Sequence, residues 1–269
     1  MTLDNDLLWI RKIITSCDNY SEDVDLAILK SEDQTETQVR RMIRSVEKEL
    51  TSGFPEVYIE GITSKQTKFR KTAYDYNRII DPDSPSAIQE KLILEINSFA
   101  NPVPFENMPV NSMIAQFLNE GGNKESIKKY ELESFEINVL VPHSTLNEKI
   151  LSLIRLSFYD DSIERIKLKV RHFYDIYFLS ESDYCNNYLE TEEFKLDFKR
   201  MYDEDKTKFD DPEKWLQTDY LESPIFTSFD DIWEKVKSTY NTDFKRLVHG
   251  EFPSEKDVSD KFREIINLL

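Results

Sequence analysis

Only five of the 269 residues are glycine: Gly53, Gly61, Gly121, Gly122 and Gly250. Backbone that wraps closely round a phosphate needs residues without a Cβ. Neither G-x-G-x-x-G nor G-x-x-x-x-G-K-[ST] can be assembled from these five positions. A Rossmann dehydrogenase, a P-loop NTPase and a protein kinase are therefore not the expected classes.

Charge narrows the partners. Lys and Arg number 35 against 52 Asp and Glu, a net charge of −17. A chain this acidic repels nucleic acid and anionic membrane as a whole, so any polyanion must meet a local basic patch. The two cysteines, Cys17 and Cys185, form no disulfide framework, and His143, His172 and His249 have no metal-ligand spacing. Asp4 and Asp6 precede the first apolar stretch, which is the wrong sign for a secretion signal. No run approaches the ~18 apolar residues that span a bilayer. These features point to a reduced, cytoplasmic protein with no membrane partner.

The hydrophobic pattern divides the chain near residue 142. Before it, apolar runs predict strands at Val24–Leu29, Val57–Ile59, Lys68–Tyr76, Leu92–Ile96 and Phe135–Val141. Glu36–Thr51 reads as an exposed helix rich in Arg and Glu, stopped by Gly53, and residues 7–16 read as a short helix. Asp81–Pro85 has loop chemistry, and Pro102, Pro104 and Pro109 predict an irregular stretch. After Pro142, Thr145–Arg155 and Ile163–Leu179 have helical spacing, and the rest reads as several helices. The expected architecture is α+β: a small mixed β-sheet domain with flanking helices over 1–142, then an all-helical domain over 143–269.

Four groups of residues could carry chemistry. In Asp23-Val24-Asp25 both carboxylates fall on one face of a strand, an oxygen-donor pair suited to Mg²⁺. Alone it is better read as an acidic strand edge. Glu95 interrupts the apolar run Leu92–Ile96, where a carboxylate is costly unless paired or on a metal. Thr145 and Glu148 have capping-box spacing, which would put Lys149 in a first helical turn, where a cation gains nothing from the helix dipole. Arg165–His172 holds four basic residues and no acid, against the sign of the chain. It reads as a phosphate-binding stripe, or, for Arg171 and Asp175, as an i,i+4 ion pair.

In this order the pieces resemble the AbiEii/AbiGii toxin family of nucleotidyltransferases, of the DNA polymerase β-like superfamily. The family's S-E-D-I-D-L segment is similar to Ser21-Glu22-Asp23-Val24-Asp25-Leu26, and its later acidic strand to Leu94-Glu95-Ile96. Its E-K-I helix is similar to Glu148-Lys149-Ile150, and its R-x-x-Y-D-L to Arg171-His172-Phe173-Tyr174-Asp175-Ile176. The resemblance implies an α+β nucleotidyltransferase fold in which Asp23, Asp25 and Glu95 are catalytic and ligate Mg²⁺. It implies that Ser21, Lys149, Arg171 and Asp175 bind the nucleotide. It also implies an NTP as donor, an RNA acceptor of the tRNA kind, and a cognate antitoxin as partner. The family's glycine-rich G-G-T-S-L turn has no counterpart, since no glycine precedes Gly53. A degenerate nucleotidyltransferase fold acting as a binding module is therefore the alternative, and paired Asp residues by themselves would also suit a metal-dependent phosphohydrolase.

Overall fold

The computed structural model describes residues 8–10, 23–28, 33–76, 91–98, 104–248 and 250–269, with the side chains of 8–10, Asp23 and Met113 left aside. Asp81–Pro85, Cys17, Ser21 and His249 lie outside the described residues. Two compact units form, one ending at Val141 and the other beginning at Pro142.

The first unit is built on one mixed sheet. Its strands are β1 (Leu8–Ile10), β2 (Asp23–Ile28), β3 (Glu56–Val57), β4 (Ser64–Lys65), β5 (Phe69–Tyr74), β6 (Leu92–Asn97), β7 (Phe105–Val110) and β8 (Phe135–Leu140). They run in the order β3-β5-β6-β2-β1-β8-β7, with β4 also on β5. β2–β6 and β1–β8 are parallel and the other pairs antiparallel. Strand alternation gives the central strands two faces. Leu26, Ile28, Leu94, Ile96 and Tyr74 pack against α1 (Glu36–Leu50) through its Val39, Ile43 and Val46. The helix starts at Thr35, whose Oγ1 accepts from the Gln38 amide while Gln38 Oε1 accepts from the Thr35 amide. Gly53 follows the helix with φ +92°, which a side chain would strain. Glu47 also faces the sheet, where Arg70 Nε donates to its Oε2 at 2.6 Å and Thr72 Oγ1 donates to its Oε1 at 2.8 Å.

Two readings of this unit change. The apolar triplet Leu8–Ile10 is a strand rather than part of a helix, because it fills the gap between β2 and β8. The proline-interrupted stretch contains β7, in which Pro109 is tolerated because β7 is the last strand on its side of the sheet. Helices α2 (Met113–Glu120) and α3 (Lys124–Lys129) follow it.

Among the described residues the second unit contains helices and no strand. These are α4 (Pro142–Ser157), α5 (Ser162–Leu168), α6 (Arg171–Glu181), α7 (Asp183–Leu189), α8 (Glu192–Lys208), α9 (Glu213–Gln217), α10 (Pro224–Thr227), α11 (Phe229–Thr239) and α12 (Glu255–Ile266). The core is aromatic: Phe173 meets Phe229, Trp233 and Phe262 at centroid distances of 5.9, 5.1 and 4.9 Å. No helix among the described residues is long and apolar enough to cross a membrane.

The helix expected from Thr145 begins three residues earlier, at Pro142, whose fixed φ and missing amide suit a first turn. Thr145 is thus inside the helix, the expected capping box does not form, and Lys149 sits mid-helix. The expected helix over 163–179 is two, α5 and α6, separated at Lys169–Val170.

Candidate functional site

Asp25 of β2 lies directly beside Glu95 of β6 in the parallel register, and Asp23 lies beside Ile93. Register partners point to the same face of a sheet, and so do residues i and i+2. Asp25 and Glu95 therefore share the face opposite α1, and position 23 has the register of that same face. Neighbouring strands are about 4.8 Å apart, so Asp25 and Glu95 are close enough to grip one cation. All the donors are hard oxygens, the set Mg²⁺ takes. Among the described residues no group of three His, Cys, Asp or Glu gathers into a metal site, and the Asp23 side chain is outside that set. Ser21 also lies outside the described residues.

A residue absent from the sequence reading enters here. Lys71 of β5 is opposite Glu95 in the antiparallel register, and its ammonium pairs with Glu95 Oε1. Both side chains are partly open, at 29% and 26%. The sheet thus presents a carboxylate strip on β2 and β6 with a lysine at its β5 border. Alternation along Phe69–Tyr74 marks Lys71 and Arg70 as opposite-facing. Only the pairing of β5 with β6 brings Lys71 to Glu95, and no sequence spacing encodes that pairing.

Lys149, Arg171 and Asp175 meet in the helical unit. Lys149 projects from α4 on the side of Leu146, Ile150 and Leu153, which are fully buried. Its Nζ reaches Asp175 Oδ2 of α6 at 2.6 Å, with the two side chains 8% and 1% exposed. Arg171 Nε lies 3.5 Å from Asp175 Oδ1, close enough for ionic attraction but not for a hydrogen bond, and neither atom has another hydrogen-bond partner. The cluster combines two cations with one carboxylate, and Arg171 is one-third exposed. It has surplus positive charge and unfilled hydrogen-bonding capacity.

The basic run 165–172 does not form a stripe. Arg165 pairs with Asp161 at 2.6 Å, Lys167 with Glu164 at 2.8 Å, and Arg171 with Asp175. Asp161 and Glu164 stand just ahead of the run, so Arg165 and Lys167 are neutralised by acids that the run itself does not contain.

One comparison with known proteins succeeds: the family model described as "Nucleotidyl transferase AbiEii toxin, Type IV TA system" matches residues 19–266. No curated protein and no solved structure matches the chain.

Proposed function

Because the chain belongs to the AbiEii family of nucleotidyltransferase toxins of type IV toxin–antitoxin systems, we propose that it moves a nucleoside monophosphate from an NTP to RNA of the tRNA kind, with Mg²⁺. The observation that carries this reading is the register pairing of Asp25 with Glu95, with Asp23 on the same face. These three carboxylates would hold the metal, which when bound neutralises charge on the attacking and leaving oxygens of the phosphoryl transfer. An acceptor hydroxyl attacks the α-phosphorus, the α–β bridging bond breaks, and pyrophosphate leaves. Glu95 takes the hydroxyl proton as general base once Lys71 no longer occupies Oε1. Lys149 and Arg171, with Asp175 orienting both, bind nucleotide phosphates through their surplus charge. Ser21 is assigned to the nucleotide by resemblance alone. A cognate antitoxin is the protein partner expected of the family, and the cytoplasm is the compartment where NTP and tRNA meet.

One observation favours a second reading. The family's glycine turn has no match here, so triphosphate binding is weakened and the fold could act by binding alone. Incubating the protein with Mg²⁺, each labelled NTP and total RNA separates the two. Labelled RNA that disappears in Asp25→Asn supports transfer, and no label with any NTP supports the binding module.

A further inference from the structure

The helix α1 carries a concentrated basic surface. Among the described residues there are ten arginines, and six are ion-paired: Arg70, Arg155, Arg165, Arg171, Arg200 and Arg263. Three of the other four, Arg40, Arg41 and Arg44, lie on α1, and all three are exposed. Lys48, on the same helix, is also exposed and has no ion pair among the described residues.

Helix geometry explains why they have no ion pair among the described residues. At about 100° per residue, Arg40, Arg44, Lys48 and Arg41 fall within an arc of about 100°, which they share with Thr37. The acids of α1 are turned elsewhere. Glu36 pairs with Lys68 at 3.0 Å, Glu47 is buried against Arg70 and Thr72, and Glu49 lies on the far side of the wheel. No acid within the helix neutralises the arc. Four like charges on one helix face repel each other, and the helix keeps them against a net charge of −17.

We infer that this arc is a docking surface for the phosphate backbone of the acceptor RNA. Arg40, Arg44 and Lys48 rise in steps of four residues, about 6 Å each, comparable to the separation of successive phosphates on a strand. Arginine side chains also match phosphate oxygens by forked donation. Because the arc faces away from the sheet, on the side opposite the carboxylates, the RNA must be long enough to reach round the unit. A polymer of tRNA size meets that requirement, and a mononucleotide does not. This inference rests on the RNA-acceptor reading for the identity of the polyanion, and concerns binding rather than transfer.

The test is titration of fluorescent total tRNA into the full chain, without NTP or divalent metal, over a series of salt concentrations. The comparison variants are Arg40→Gln/Arg44→Gln and the quadruple Arg40→Gln/Arg41→Gln/Arg44→Gln/Lys48→Gln. All are exposed positions where Gln keeps the helix. The quadruple variant should bind about tenfold or more weakly near 0.1 M salt, with the salt slope shallower by about 0.7–0.9 per lost contact. The double variant should fall between it and wild type. Arg165→Gln/Lys167→Gln, whose charges are already paired, should bind like wild type. Unchanged affinity and slope in the quadruple variant would overturn the inference, as would an equal loss in the Arg165/Lys167 control. If binding depends on α1 but no NTP labels RNA, the transfer reading fails and the docking surface stands.

Discussion

Each unit contains a lysine–carboxylate pair, Lys71–Glu95 on the sheet and Lys149–Asp175 between α4 and α6, and burial separates them. The sheet pair is open to about a quarter of its surface, whereas Asp175 is 1% exposed and Lys149 8%. In water-accessible surroundings an ion pair contributes little, and either partner can be exchanged for another ion. In an apolar interior the pair offsets a large desolvation cost, and loss of one partner strands the other. The same chemistry therefore makes an exchangeable site in one unit and a fixed strut with spare charge in the other.

The largest expected effect breaks the fixed pair. Lys149→Met leaves Asp175 buried with only Arg171 at 3.5 Å, and should cost about 3–5 kcal/mol of stability in urea unfolding. Lys149→Met/Asp175→Leu should regain most of that loss. If the single variant is as stable as wild type, the pair is not a strut. Next, Asp25→Asn should lower transfer of labelled nucleotide to RNA at least about 100-fold, near 2.7 kcal/mol of barrier, while the urea midpoint holds or rises because two carboxylates no longer repel.

Lys71→Met sharpens the comparison. Removing the cation beside Glu95 should tighten Mg²⁺ binding by up to about tenfold, near 1.4 kcal/mol, as a Coulomb competitor disappears. Stability should change little. Calorimetry with Mg²⁺ alone reads this directly, and unchanged affinity would show that Lys71 does not compete for Glu95. The smallest effect is the calibration. Lys199 pairs with Asp203 at 2.8 Å on an exposed face of α8, and Lys199→Ala should leave the thermal midpoint where it was.

The legible part of the site was the part written in strand alternation. Asp23, Asp25 and Glu95 could be placed on one side of their strands from their neighbours alone. Lys71 could not, because its role depends on which strand lies beside β6. Charge runs misled in the opposite way. Arg165–Arg171 looks unopposed because its acids, Asp161 and Glu164, stand just ahead of it, whereas α1 looks mixed because Glu36, Glu47 and Glu49 share its sequence but not its arc. The helix expected over 7–16 yielded to the sheet at Leu8–Ile10, which pairs with β2 on one side and β8 on the other.

The parallel register of β2 and β6 also bears on how the protein reaches its folded state. Asp25 and Glu95 are adjacent in space but seventy positions apart along the chain, whereas Lys149 and Asp175 are separated by 26. Closing the longer loop costs more chain entropy before any contact repays it, and pairing of distant parallel strands is among the slow steps of folding. The carboxylate strip therefore carries a larger chain-entropy cost of assembly than the helical cluster, and its strands must hold together two stretches that the intervening helix and hairpin keep far apart along the chain.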